Sequence, residues 1–84
     1  MGKAGKALRQ VLEHYGISQN RLAVTMGINR STVYQWFNEI TDPSAESVTQ
    51  IIAALETLNE AAANEFIALY LGRAVQDEEP PLVD

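Results

Sequence analysis

Apolar residues recur at intervals of three and four along most of the chain, which is the spacing of amphipathic helices. No window shows the sustained alternation of apolar and polar residues that is typical of a half-buried strand. The pattern therefore predicts an all-α fold. We expect five helices, over residues 5–15, 19–26, 30–38, 43 or 45 to about 58, and 60–71.

The ends of the first three predicted helices carry residues that favour helix termini. Gly16 and Gly27 can adopt the left-handed conformation that ends a helix. Ser18 and Asn29 precede the second and third helices and are expected to cap them. Three helices are therefore expected in quick succession.

The start of the fourth helix and its separation from the fifth are less sharply defined by sequence. Asp42 fits an N-cap with Pro43 at the first helical position, but Ser44 fits a cap as well. No glycine or proline lies between Ser44 and residue 71, so the last two helices could be one. Polar residues around Asn59 favour a break there.

One edge of each predicted helix is apolar and is expected to form the core. In the third helix, helical spacing turns the polar residues to the opposite edge. The outward residues are Arg30, Ser31, Tyr34, Gln35 and Asn38. The inward residues of the first three helices are Ala7, Leu8, Val11, Leu12, Tyr15, Leu22, Ala23, Met26, Val33, Trp36 and Phe37. The apolar residues at helical spacing in the last two helices are Val48, Ile51, Ile52, Leu55, Leu58, Ala63, Phe66, Ile67, Tyr70 and Leu71.

Residues 18–38 have the spacing of a helix-turn-helix. Ala23 is small where the two helices must approach closely, and Gly27 permits a positive φ in the turn. Ile28 and Val33 are expected to close the corner, with Trp36 completing the core. Because five requirements are met at fixed spacing behind a longer first helix, the pattern is fairly specific.

Charge is divided unevenly along the chain. Residues 1–38 hold five basic residues and one acidic residue, 5 − 1 = +4, whereas residues 39–84 hold one basic and ten acidic, 1 − 10 = −9. The sum is the net charge of −5. Because local charge sets the attraction to a polyanion, the first half is compatible with nucleic-acid binding despite the acidic total.

Composition also limits the enzyme, metal-binding and membrane functions that the chain could have. The chain has no cysteine, and its only histidine, His14, has no second histidine with which to share a metal. No paired nucleophile and base is evident either, so neither an enzyme nor a metal or cofactor is expected. No apolar run approaches the roughly 18 residues of a membrane span, and the first ten residues lack the apolar block of a secretory signal. A cytoplasmic protein is expected.

The length suits one domain, which we place at residues 1–74. Residues 75–84 combine paired prolines with an acidic triplet and have little to bury. They are expected to form a disordered acidic tail.

The stretch from Leu8 to Leu58 resembles the five-helix, lambda-repressor-like DNA-binding domain of the phage repressor and Cro (XRE) class. The residues that carry the resemblance are Ser18-Gln19, Leu22-Ala23, Met26-Gly27-Ile28, Arg30-Ser31-Thr32-Val33 and Pro43-Ser44. In that class the second helix crosses the phosphate backbone, and the third enters the major groove with its N-terminal residues on base edges. The resemblance implies the same placement here.

Transferred position by position, the resemblance assigns base reading to Arg30, Ser31 and Gln35, with Tyr34 beside them. The resemblance implies phosphate contacts, to which Lys6 of the first helix would add charge. The residues are Gln19, Arg21, Thr32, Asn38, Thr41 and Lys6. Two features depart from the class. Acidic residues Glu39, Asp42 and Glu46 stand where basic residues are often found, and position 37 is aromatic where many members have glutamate.

Members of the class act as two-fold dimers on double-stranded DNA, so a homodimer on a palindromic operator is expected. Phe66, Ile67, Tyr70 and Leu71 are candidates for the dimer surface, although Phe66 and Tyr70 could instead fold back onto Leu8 and Leu12. The function expected is a sequence-specific transcriptional repressor on the bacterial or phage nucleoid. The alternative is an antitoxin-like or antirepressor-like module that binds a basic protein through its acidic C-terminal half.

Overall fold

The structure is a computed structural model that describes residues 3–72 as five helices. They are α1 (Lys3–Tyr15), α2 (Gln19–Met26), α3 (Arg30–Phe37), α4 (Ala45–Leu58) and α5 (Glu60–Leu71). The all-α prediction is confirmed, with no strand in the described range. Residues 1–2 and 73–84 lie outside that range, and the prediction of a disordered acidic tail falls on them.

Local capping explains why α2 and α5 begin where the sequence predicts. The Ser18 hydroxyl accepts the Arg21 N–H at 2.9 Å. Asn59 ends α4 and caps α5, since its Oδ1 accepts the N–H groups of Ala61 and Ala62 at 3.0 and 3.4 Å. The predicted break near Asn59 is therefore confirmed, and an extended residue with φ −168° makes it.

The N-terminus of α4 settles the alternatives for its cap. Ser44 is the cap, and its hydroxyl accepts the Ser47 N–H at 3.1 Å, so the assignment of Asp42 as cap with Pro43 in the helix is wrong. Asp42 Oδ1 instead accepts the N–H of Gly5 at 2.9 Å, in the first turn of α1. Backbone N–H groups in the first turn of a helix have no partner inside the helix. A carboxylate there also interacts favourably with the positive end of the helix dipole.

The core is a single cluster of apolar side chains to which every helix contributes. Packing joins α1 to α3 and α5, α2 to α3 and α4, and α4 to α5. Leu8, Val11 and Leu55 are among its fully buried members, and no buried polar side chain lies within residues 3–72. Within this dry core the helices are held by close packing and not by buried polar contacts.

A polar contact on the rim of the core joins the C-terminal end of α1 to α5. His14 Nδ1 lies 3.0 and 3.1 Å from the two carboxylate oxygens of Glu65, and the Tyr15 hydroxyl donates to Glu65 Oε1 at 3.1 Å. Partial burial raises the pKa of the Tyr15 phenol, and the hydrogen bond to Glu65 and its negative charge raise it further. The histidine thus contributes to an interhelix contact.

At Gly5, α1 approaches the C-terminal end of α3 closely, and this contact allows a test of the fold. A Cβ at this position would lie 3.0 Å from both Asp42 Oδ1 and the backbone oxygen of Trp36. Alanine is the better helix former by about 1 kcal/mol, but overpacking costs about 1–3 kcal/mol. The difference between these two terms leads us to expect that Gly5→Ala lowers the free energy of unfolding in urea by about 1 kcal/mol.

The matched control is Gln10→Ala on the exposed face of the same helix, which should change the free energy of unfolding by less than about 0.5 kcal/mol. A Gly5→Ala protein as stable as the parent would contradict the close approach.

Candidate nucleic-acid interface

The turn between α2 and α3 is fixed by backbone hydrogen bonds around Gly27. This residue has φ 74°, and its N–H donates to the carbonyls of Ala23 and Val24 at 2.8 and 3.2 Å. The Ile28 N–H donates to Ala23 at 3.0 Å, and the Ile28 side chain packs against the core. A left-handed glycine followed by a buried apolar residue is a common and stable helix C-terminus. The turn therefore fixes the orientation of α3 relative to α2.

The inward edge of α3 anchors that helix to the rest of the domain. Val33 and Trp36 are buried, and Phe37 is half-buried beside them. The Arg9 guanidinium of α1 lies over the Phe37 ring, with its Cζ 5.2 Å from the ring centroid. The aromatic residue at position 37 therefore joins α3 to α1 through a cation–π contact.

The opposite edge of α3 is exposed, as helical spacing predicts. Arg30, Ser31, Tyr34 and Gln35 all lie on the surface, and the Tyr34 side chain is 52% exposed. Arginine can donate two hydrogen bonds to guanine, glutamine can donate one to adenine and accept one from it, and serine can serve either base. This edge therefore presents the groups that discriminate bases.

The N-terminal ends of α2 and α3 meet at one open cleft of about 760 Å³. It brings together four of the predicted site residues, Gln19, Arg30, Ser31 and Tyr34. Asn20 and Asn29 line the same cleft and were not predicted from sequence. Asn29 stands at the N-cap of α3 but makes no capping hydrogen bond through its side chain. Its amide, which both donates and accepts, is thus left at the cleft.

The other residues predicted to contact phosphate do not line this cleft. Arg21 is exposed on α2, and Thr32 is half-buried on α3. Asn38 and Thr41 are exposed after the end of α3, where the Asn38 amide nitrogen already donates to the Tyr34 carbonyl at 2.9 Å. These residues therefore do not form a single cluster, because they lie in α2, in α3 and after the end of α3.

The helix-turn-helix carries two arginines and no acidic residue. No acidic residue occurs between Glu13 and Glu39, and within residues 3–72 neither Arg21 nor Arg30 has an ion-pair partner. In contrast, α4 and α5 contain acidic residues and no lysine or arginine. Uncompensated guanidinium groups beside two helix N-termini favour an approaching anion.

The basic residues of α1 are not part of this cleft. Lys6 lines a separate cleft with Lys3, Gln10 and Leu69 of α5. Arg9, besides contacting Phe37, lies 3.6 Å from a carboxylate oxygen of Glu13. Counting charge in the first half of the chain therefore overstated the charge available beside α3.

The apolar residues proposed for a dimer surface divide between the core and the exterior. Phe66 is fully buried within the described residues, so its side chain is not available to a dimer surface. Tyr70 is half-buried with its ring stacked on Phe66, at a centroid distance of 6.1 Å. Ile67 is half-buried, and Leu71 is 49% exposed.

Two further features of the described residues concern metal binding and membrane insertion. In residues 3–72 no three His, Cys, Asp or Glu side chains are grouped so that they could hold a metal ion. No helix of that range combines the length and apolar character needed to cross a membrane.

Comparison with known proteins supports the geometry. The model of a family described as helix-turn-helix matches residues 8–59, which is more than half of the chain and contains α2, α3 and the turn between them. Neither the curated proteins nor the solved structures give a match. By this match and by its geometry, the chain belongs to the helix-turn-helix family of the phage repressor and Cro (XRE) class and is a DNA-binding transcription regulator.

Proposed function

We propose that the chain is a repressor that binds a palindromic operator as a dimer, with α3 of each copy in the major groove. Each α3 would read one half-site through Arg30, Ser31 and Gln35, with Tyr34 at the edge of the contact. Two-fold symmetry places such half-sites about 34 Å apart on one face of the duplex. A dimer that covers this length would exclude polymerase by occupancy.

The observation that carries the proposal is the contrast between the two edges of α3. The inward edge is accounted for by packing, because Val33 and Trp36 are buried. The outward edge, in contrast, bears hydrogen-bonding groups that no intramolecular contact within residues 3–72 requires. Arg30 has no ion-pair partner there, and the Ser31 and Gln35 side chains make no hydrogen bond there.

Phosphate contacts would then come from polar residues in α2, in α3 and just after α3. Gln19 and Arg21 in α2 would meet one strand, and Thr32, Asn38 and Thr41 would meet the backbone near α3. Free backbone N–H groups in the first turn of α2 add a site for a phosphate oxygen. With few basic contacts we expect modest nonspecific affinity, so that dimerisation supplies much of the specificity.

The dimer surface that we propose is the exposed edge of α5 formed by Ile67, Tyr70 and Leu71. Leu71 is one of four large apolar side chains that are markedly exposed in residues 3–72. Helical spacing puts Ile67 one turn before it on the same edge. An isologous contact between two such edges would bury both and fix the two recognition helices relative to each other.

A second candidate is the antitoxin-like or antirepressor-like module. It is favoured by the exposed carboxylates Glu46, Glu56 and Glu60, which have no ion-pair partner among residues 3–72 and could bind a basic protein. Such a role would need the acidic residues from Glu60 onward and would survive changes on α3. The two functions therefore respond to different substitutions.

Substitution of the outward edge of α3 tests base reading. We expect Arg30→Ala and Gln35→Ala each to weaken binding to the preferred DNA sequence by about 1–3 kcal/mol, or roughly 5- to 150-fold, and to relax the preference at one base pair. Fluorescence anisotropy at fixed salt with a panel of single-base-pair variants measures both effects. Unchanged affinity in both proteins would exclude the proposed edge.

Arg21→Ala is the matched control, because it also removes one exposed guanidinium without an ion-pair partner in residues 3–72. As a phosphate contact, Arg21 should affect all DNA sequences equally. Its loss should make the salt dependence of log K shallower by about 0.9 and leave the base preferences intact. If Arg21→Ala and Arg30→Ala gave the same loss of specificity, the assignment of base and phosphate contacts would be wrong.

Leu71→Asp tests the dimer surface. Sedimentation equilibrium of the parent chain should show dimers at concentrations on the order of tens of micromolar, and Leu71→Asp should shift the protein to monomer. Val24→Asp is the control, since Val24 is 71% exposed on α2 and lies outside the proposed surface. A parent chain that is monomeric over this range would rule out the dimer.

A further inference from the structure

A second cleft, between α1 and α5, carries charge that the proposed DNA contact does not use. It is lined by Lys3, Lys6, Ala7, Gln10 and Leu69. The two lysines are one helical turn apart and exposed, and within residues 3–72 neither ammonium has an ion-pair partner. Ala7 and Leu69 supply an apolar floor. The cleft therefore suits a short acidic segment that also carries apolar side chains.

The described part of the chain ends beside this cleft. A Cβ on Gly72, just after α5, would lie 3.8 Å from the Lys3 ammonium. The twelve residues that follow include Asp77, Glu78 and Glu79, and then Leu82 and Val83. Five residues span up to about 17 Å when extended, and Lys6 is only about 4.5 Å further along α1 than Lys3. The acidic triplet can therefore reach both lysines.

We propose that this acidic segment of the same chain docks in the cleft, with Asp77, Glu78 and Glu79 pairing with Lys3 and Lys6. Leu82 and Val83 then contact Leu69 and Ala7. The α5 edge proposed for the dimer is separate, because at 100° per residue Leu69 is about 160–200° away from Ile67 and Leu71. The proposal therefore does not depend on a dimer or on DNA binding.

The physical basis is charge complementarity at high local concentration. An exposed ion pair contributes only about 0.2–1 kcal/mol, but a short tether raises the effective concentration of the second group to the millimolar range. Such docking is weakened by salt, since the Debye length falls from about 10 Å at 0.1 M to about 3 Å at 1 M. A polyanion can then engage Lys3 and Lys6 only by displacing the acidic segment.

Zero-length carbodiimide cross-linking of the full chain tests the contact, because it joins only an amine and a carboxylate that touch. Asn64→Lys provides an internal control, since it adds an amine on the exposed face of α5 outside the cleft. This position is about 12 Å along the helix from Gly72 and within reach of the same segment. We expect peptide masses to show Lys3 and Lys6 joined to residues 77–79 at least about threefold more than the introduced lysine.

Two comparisons define the outcomes that would overturn the proposal. In an equal mixture of ¹⁴N- and ¹⁵N-labelled chains, the cross-linked peptides should carry a single label. Mixed labels would assign the contact to a second copy of the chain, and cross-linking equal to that of the introduced lysine would show tethering without docking. Either result rejects the proposal, as does a cross-linked fraction that is unchanged between 0.05 and about 0.5 M salt.

Amide NMR shifts give a second measurement on the uncross-linked protein. Neutralising the segment with Asp77→Asn, Glu78→Gln and Glu79→Gln should shift signals along α1 near Lys3 and Lys6 and at Leu69. Glu46→Gln, Glu56→Gln and Glu60→Gln remove the same charge outside the cleft and should leave those signals in place. Equal shifts in the two triple variants would also reject the docking.

Discussion

The burial of one edge of α3 is the constraint on which the DNA-facing surface depends. Val33 and Trp36 enter the core, and α1 supports the same helix through Arg9 on Phe37 and through the approach of Gly5 to the Trp36 carbonyl. Because these contacts fix the rotation of α3 about its axis, the polar edge on the opposite side of the helix must face outward. A helix this short would not be stable alone, so its orientation comes from tertiary packing.

Charge is distributed differently in the helix-turn-helix, which carries the proposed DNA contact, and in α4 and α5. The helix-turn-helix contains no acidic residue, whereas α4 and α5 contain no basic one. Asp42 stands between them and stabilises the first turn of α1 through Gly5. Asp42 stands where the class often has a basic residue, and the hydrogen bond from Gly5 gives its carboxylate a structural role there. Base reading needs oriented donors and acceptors more than net charge, and α3 supplies those with a single guanidinium.

Features that depend on neighbours in the chain could be predicted from sequence, and those that depend on distant contacts could not. Ser18, Gly27 and Asn59 fix helix ends through groups a few residues away, so α2 and α5 were predicted with their observed bounds. The start of α1 at Lys3 was missed by two residues because Asp42, 37 positions away, caps its first turn. The burial of Phe66 and the separate cleft of Lys6 likewise depend on how α1 meets α5.

Sequence-specific DNA binding through α3 is the central claim, and selection from random double-stranded oligonucleotides at about 0.15 M salt tests it most directly. Physiological salt suppresses nonspecific binding, so enrichment there reports base reading. We expect a two-fold symmetric sequence with half-sites centred about 34 Å apart. A pool that shows no enrichment after repeated rounds would contradict the claim and would favour a protein partner for the acidic helices.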